Sequence, residues 1–348
     1  MIMKNKRILV TGGAGYIGSH TVVELCNAGY DPVIVDNLSN SSADVLEGIK
    51  KITGKAPVFR EEDCTDYPAM ERVFNEFPDI SLVIHFAAYK AVGESVQKPL
   101  AYYSNNLGSL VDILRLLSIR GGSVVFSSSC TVYGQPDEEF LPVAEDAPMK
   151  RAESPYGNTK QICEEIIADT VKAASGEIKA ISLRYFNPVG AHPSAHIGEL
   201  PRGVPQNLLP FVTQTAAGLR GELKVFGDDY NTPDGSCIRD YIYVCDLAKA
   251  HVAAADRLLA DDSDRDNLEI FNIGTGKGMS VLEVIDLFTK ANGVEVPFSI
   301  APRRAGDVEK VWADPSKANK LLGWRAETPF EDVMRSAWKW EKKIRGIE

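Results

Sequence analysis

Paired cysteines, clustered histidines, long apolar runs and surplus positive charge are all missing from this sequence. The six cysteines, Cys26, Cys64, Cys130, Cys163, Cys237 and Cys245, stand singly and never as C-x-x-C. They read as the reduced thiols of a cytoplasmic protein. The five histidines, His20, His85, His192, His196 and His251, form no H-E-x-x-H. His192 and His196 are four apart, but Pro193 and Gly198 oppose a helix there, so no metal site is expected. Ile8-Leu9-Val10, entered directly from Arg7, is too short for a signal segment or a membrane span, so neither is expected. A net charge of −10 and a pI near 5.2 argue against nucleic acid and anionic membranes as partners. A local anion site at a helix N-terminus stays open. No repeat and no low-complexity tract is present.

The 348 residues, 44% hydrophobic and 25% charged, suit one large globular domain or two moderate ones. Short apolar runs alternate with amphipathic stretches in the first half, the rhythm of a parallel sheet. Strands are expected at Arg7–Val10, Val33–Val35, Pro57–Phe59, Leu82–Ala88, Ser123–Ser128 and Lys179–Tyr185. Helices are expected at Tyr16–Asn27, Pro99–Ser118 and Tyr156–Ala173. Beyond Asn187 the rhythm breaks into a segment rich in proline and glycine with one helix near 206–219. Helices near 246–259, 280–291 and 329–344 and a strand at Ile270–Ile273 follow. Asp261–Asp266 reads as a solvated acidic loop. Residues 1–186 form the expected first domain and 187–348 the second, with segments near 238–278 packing back on the first.

Thr11-Gly12-Gly13-Ala14-Gly15-Tyr16-Ile17-Gly18 follows the first strand and opens the first helix. The G-x-x-G-x-x-G spacing is a relative of the dinucleotide fingerprint. Glycines there permit a tight turn, close approach of a pyrophosphate and tight helix packing. Asp36 ends the second strand, where a carboxylate accepts from a ribose 2′-OH and repels a 2′-phosphate. No arginine follows in Asn37-Leu38-Ser39, which favours NAD over NADP. The expected fold is a Rossmann-type doubly wound parallel sheet with a smaller mixed α/β domain.

Tyr156 is the only tyrosine with a lysine four residues on, Lys160. A phenol with an ordinary pKa near ~10 is a poor base at neutral pH. A cation one helical turn away, on the same face, favours the phenolate. The serine-rich strand end Ser127-Ser128-Ser129 precedes the pair.

The strings VTGGAGYIGSH at 10–20, HFAAYKAVGESVQKP at 85–99, SSSCTVYG at 127–134, SPYGNTK at 154–160, RYFNPVGAHPS at 184–194, IRDYIYV at 238–244 and APRRAGD at 301–307 resemble the extended short-chain dehydrogenase/reductase family. Within it they are most similar to the UDP-glucose 4-epimerases. The resemblance implies NAD held tightly through the catalytic cycle. It implies reversible inversion at C4 of UDP-glucose and UDP-galactose through a bound 4-keto sugar that turns over in the pocket. Tyr156 would be the general base and acid on the sugar 4′-OH. Lys160 would hold the nicotinamide ribose and lower the Tyr156 pKa, and Ser129 would bond the same hydroxyl. Gly12, Gly15, Tyr16, Ile17 and Gly18 match the pyrophosphate loop, Asp36 and Asn37 the adenosine ribose, and Asp63 and Cys64 the adenine end. Phe86, Ala87, Ala88, Lys90, Asn105 and Phe186 match the cofactor wall and the nicotinamide side. Asn187, Arg239 and Arg304 match diphosphate contacts, Asn207, Leu208 and Phe226 the uridine pocket, and Asp307 its ribose. The family also implies a homodimer in which helices matching 99–118 and 156–173 pair across a two-fold axis.

Cys130 replaces a common alanine and Ala88 a common glycine. Val311 stands where a tyrosine in similar epimerases closes the space at the sugar 2-position. A smaller residue leaves room for an N-acetyl group, so UDP-N-acetylglucosamine and UDP-N-acetylgalactosamine are expected as further substrates. A 4,6-dehydratase or a decarboxylase of the same family needs a carboxyl before Val132, where this protein has Cys130 and Thr131. A catalytically inactive NAD-binding sensor would not need Ser129, Tyr156 and Lys160 together.

Overall fold

The computed structural model describes residues 6–174, 177–260, 265–304 and 307–347. Met1–Asn5 of the opening segment, Asp261–Asp264 of the acidic loop and Ala305-Gly306 of the 301–307 string lie outside the described residues. The first half runs β1 (Arg7–Thr11), α1 (Tyr16–Asn27), β2 (Asp31–Val35), α2 (Asp44–Thr53), β3 (Val58–Arg60), α3 (Tyr67–Glu76) and β4 (Leu82–His85). It continues through α4 (Val92–Gln97), α5 (Pro99–Arg120), β5 (Gly122–Ser129), α6 (Pro155–Ala173) and β6 (Ile178–Tyr185). The second half runs β7 (Asn187–Val189), α7 (Leu208–Ala216), β8 (Leu223–Phe226), β9 (Ile238–Arg239), β10 (Tyr241–Tyr243), α8 (Val244–Leu259) and β11 (Leu268–Ile273). It closes with β12 (Met279–Ser280), α9 (Val281–Asn292), β13 (Phe298–Ala301), β14 (Lys310–Val311), α10 (Ser316–Leu321) and α11 (Phe330–Arg345).

Seven strands form one parallel sheet in the order β11-β6-β5-β4-β1-β2-β3. This is the doubly wound architecture expected from the sequence. Alternation along its strands feeds two cores. Ile8, Val10, Ile34, Ile84 and Val125 enter one; Leu9, Val33, Val35, Val83 and Val124 enter the other. The strand order reverses between β1 and β4, so a crevice opens beyond their carboxyl ends, where such sheets bind ligands. β11, from the second half, extends this sheet by pairing with β6, and α8 packs on α1.

The sequence expected a strand through Ala88, but β4 stops at His85. Phe86 makes one more bond to Thr11 C=O at 3.0 Å, and β1 then turns away at Gly12. β5 runs on to Ser129, but Phe86–Ala88 leave the ladder and pack against the glycine loop. The third strand sits one residue later than expected, at Val58–Arg60. Four short strands cross the segment after Asn187, too brief for any alternation to be legible. Among the described residues no helix is long and apolar enough to cross a membrane, and no cluster could hold a metal ion.

Candidate active site

The loop after β1 leaves no room for side chains. Gly12 has φ +67°, and a Cβ there would lie 2.8 Å from Ala87 N and 3.0 Å from Phe86 C. A Cβ on Gly18 would lie 2.3 Å from Gly12 C=O, so the first turn of α1 packs directly on the loop. Gly13 is equally tight, 2.9 Å from Ile34 Cγ2, although the spacing did not single it out. Gly15 precedes α1 with no side-chain cap, so no hydroxyl or carboxylate occupies the first N–H groups of the helix, the kind of donors that bind an anion. These features fit a dinucleotide pyrophosphate.

Asp36, buried at the end of β2, accepts from Ala14 N at 3.0 Å, Leu38 N at 2.9 Å and Ser41 Oγ at 2.8 Å. The carboxylate is thereby pinned next to the glycine loop. Asn37 donates to Asp63 at 2.9 Å. Burial opposes ionisation of Asp63, but bonds from the Thr65 N–H and hydroxyl and from Asn37 prevail and lower its pKa. Cys64 is buried in the core, and burial raises its thiol pKa. Its neighbourhood to the site therefore rests on backbone and bulk, not on thiolate chemistry.

Across the crevice, Lys90 pairs with Glu199 at 3.3 Å and lies over the Tyr16 ring, 5.8 Å from its centroid. Tyr16 donates to Gly190 C=O at 2.6 Å, tying α1 to the second half. Asn105 donates to Asn106 at 2.9 Å. Asn106 is the buried organiser: it bonds the Tyr89 N–H and C=O at 2.8 and 3.0 Å and Thr159 at 3.1 Å. It escaped the sequence reading because nothing marks an asparagine in a helix as buried.

Ser154 starts α6 by accepting from Gly157 N at 3.1 Å, with Pro155 in the first turn. This cap fixes the register that brings Tyr156 and Lys160 over the end of β5. Lys160 is 4% exposed; its Nζ donates to Ser127 C=O at 2.6 Å and sits 5.9 Å from the Tyr156 ring centroid. Burial pushes its pKa down to about 8. Burial pushes Tyr156 up to about 12, with a hydrogen bond from Ser129 opposing. The lowered phenol pKa expected from Lys160 is therefore not found in the protein alone. Lys160 is itself desolvated and turned toward a carbonyl, so its charge reaches the phenol weakly. Below α6, Glu164 takes Ser128 Oγ and a two-pronged Arg184 contact, 3.0 Å from Nε and 2.6 Å from Nη2. Both partners are nearly inaccessible, and Arg184 also donates to Tyr133 OH at 3.0 Å. This network holds the helix on the sheet and was not foreseen.

The second half supplies the opposite wall. Arg239 lies 3.9 Å from Asp307, and Arg304 donates to Asp307 at 3.1 and 2.7 Å. Arg304 lies over the Phe226 ring at 5.7 Å. Asn207 begins α7 and donates to Glu199 at 2.7 Å, beside partly buried Leu208. Asn187 lies on β7 beside β10. Phe186 and Val311 share a cluster with Val132, Tyr133 and Val143. Val311 pairs with Arg239 in register and is 4% exposed, so the cluster covers most of its side chain. Cys130 packs on the same cluster, and burial pushes its thiol up to about 12.

A family model described as GDP-mannose 4,6 dehydratase matches residues 9–337. A UDP-glucose 4-epimerase of Dictyostelium discoideum is 51% identical over 336 residues, 96% of this chain and 95% of that one. A Stenotrophomonas maltophila UDP-glucose 4-epimerase, solved with NAD and formylated UDP-arabinopyranose, superposes with a TM-score of 0.93 at 48% identity. It covers 99% of this chain and all of its own. A Bifidobacterium longum UDP-glucose 4-epimerase with NAD+ and UDP gives a TM-score of 0.91 at 47% identity, covering 98% of this chain and 100% of that one.

Proposed function

The chain belongs to the UDP-glucose 4-epimerases, within the extended short-chain dehydrogenase/reductases, and from that premise we propose how its residues perform the reaction. The activity is reversible 4-epimerisation of UDP-glucose and UDP-galactose with NAD as cofactor. The observation that carries the mechanism is Tyr156 set beside Ser129, with Lys160 one turn on, at the carboxyl end of β5. Gly12, Gly15, Tyr16, Ile17 and Gly18 would hold the pyrophosphate, and Asp36, Asn37, Asp63 and Cys64 the adenosine end. Phe86, Ala87, Ala88, Lys90, Asn105 and Phe186 line the remainder. When bound, the oxidised nicotinamide supplies a hydride acceptor and a positive charge beside the phenol. Tyr156 takes the proton of the sugar 4′-OH and later returns it, and Ser129 orients that hydroxyl. Lys160, anchored on Ser127 C=O, would bind the nicotinamide ribose. Asn187, Arg239 and Arg304 grip the diphosphate, and Asn207, Leu208, Phe226 and Asp307 the uridine, while the sugar turns over as a 4-keto species.

The matching family model carries a dehydratase's description, but elimination of water needs a carboxyl acid and base before Val132. Cys130, neutral with a pKa near 12, and Thr131 supply none. An inactive sensor is disfavoured by the intact Ser129, Tyr156 and Lys160. Val311, smaller than tyrosine, supports acceptance of the N-acetylated pair as well. The division at residue 186 is supported by a separate core around Val189, Leu209 and Phe288; the pairing of β11 with β6 supports the return of 238–278 to the first domain. A homodimer through α5 and α6 is supported by exposed Leu100 and Val111, which lie on one face of α5. Free cysteines support a cytoplasmic location. Purified protein given UDP-galactose and no added NAD tests the whole reading. Turnover with nucleotide released on denaturation supports it; bound NAD without turnover supports the sensor.

A further inference from the structure

Asp240 follows Arg239 at the junction of β9 and β10 and is 0% exposed. Its Oδ1 accepts from the Thr275 hydroxyl at 2.6 Å and from Thr275 N–H at 2.9 Å. Its Oδ2 accepts from Gly276 N–H at 3.1 Å and Ala313 N–H at 3.2 Å. Its backbone carbonyl accepts from Asn187 N–H at 3.0 Å. Among the described residues no cation pairs with it. Burial raises its pKa, and the bonds from Thr275, Ala313 and Gly276 counter that rise.

The carboxylate thus joins the turn at 274–276 to Ala313, just past Val311, while the backbone of the same residue carries Asn187 on β7 and continues from Arg239 on β9. The packing leaves no slack, since a Cβ on Gly274 would lie 2.6 Å from both Asp240 Oδ2 and Ala313 Cβ. Three N–H groups from two separate loops converge on two oxygens, so a neutral amide in this place would turn a donor toward donors. None of these partners belongs to the glycine loop or to the Asp36 region.

We propose that the Asp240 carboxylate is a positioning group for the UDP-sugar, fixing Arg239 of the diphosphate grip against the 274–276 turn and the end of the sugar wall past Val311. The inference rests on the UDP-sugar site described under the proposed function. Because only the substrate wall hangs on Asp240, its loss should weaken substrate binding and leave cofactor retention and the proton-transfer groups in place.

The test is Asp240→Asn in the NAD-loaded protein, with UDP binding by calorimetry and steady-state turnover of UDP-galactose. Wild-type protein that neither binds UDP nor turns over UDP-galactose would sink the site reading itself, apart from this inference. With wild type active, Asp240→Asn should raise KM and the UDP dissociation constant in parallel, roughly tenfold or more, with full NAD content and kcat changed far less. A folded variant with unchanged KM and UDP affinity overturns the proposal, as does a loss confined to kcat. Should Asp240→Asn fail to fold, Thr275→Val decides, since it removes the 2.6 Å hydroxyl bond to Asp240 and otherwise only two longer local bonds to the Lys277 backbone. It should raise both constants several-fold, and unchanged constants overturn the proposal equally.

Discussion

Lys160 Nζ lies 5.9 Å from the centroid of the Tyr156 ring while donating to Ser127 C=O at 2.6 Å. The two side chains share a helix face without forming a direct bond. The lysine is held as a remote, desolvated charge, and the phenol in the protein alone stays protonated at neutral pH.

Lys160→Met should therefore cost on the order of 10²-fold or more in kcat/KM, because it removes both the ribose donor and the charge. The sign of the pH effect follows from a pKa lowered to about 8: the ammonium is present below that pH and lost above it. Wild-type kcat/KM should decline above about pH 8. An undiminished rate in Lys160→Met, or no alkaline decline, contradicts this role.

Asp36→Ala should reduce co-purified NAD and narrow the preference against NADP, since it removes a ribose acceptor that also repels phosphate. It also strips acceptors from Ala14 N, Leu38 N and Ser41 Oγ, at a cost of about 1–3 kcal/mol in stability. Unaltered nucleotide content and selectivity with lowered stability would leave Asp36 a purely structural residue.

Val311→Tyr separates the two substrate pairs. The proposal expects wild type to turn over the N-acetylated UDP-hexoses and the variant to lose them selectively. Because Val311 is 4% exposed, the larger ring should also cost about 1–3 kcal/mol in overpacking, read as a lower Tm. Equal loss of both pairs, or no wild-type turnover of the N-acetylated sugars, is the contrary outcome.

Acid should destabilise this protein through its buried histidines. Burial lowers His20 and His85 to about 3 and His251 to about 4. The unfolded chain takes up protons below about pH 6.5 that the folded one refuses, so stability falls as pH falls from there toward 4. At pH 5 each such histidine contributes a loss of about 2 kcal/mol. His251→Phe, packed between Phe86 and Tyr185, should lose about 2 kcal/mol less than wild type between pH 7 and 5. Identical losses in denaturant titrations at the two pH values would refute the assignment.

The sheet and the catalytic helix were legible because their signals are local. The G-x-x-G-x-x-G spacing, the apolar runs of β1 and β4, and the Ser154-Pro155 start of α6 each act within a few residues. Asn106, Asp240 and the Arg184–Glu164 pair were not legible, since each gains its meaning from partners more than 15 residues away. The balance between Lys160 and Tyr156 is not legible for a related reason. Spacing placed the lysine on the right face, but it could not show that burial would dominate both groups.

The most direct measurement is the turnover of UDP-galactose by Tyr156→Phe, with its bound nucleotide quantified in the same preparation. Phe keeps the ring and removes the only group placed to move the 4′-OH proton. The account predicts a loss on the order of 10²–10⁴-fold in kcat with NAD content unchanged. Turnover close to wild type in that variant would contradict it.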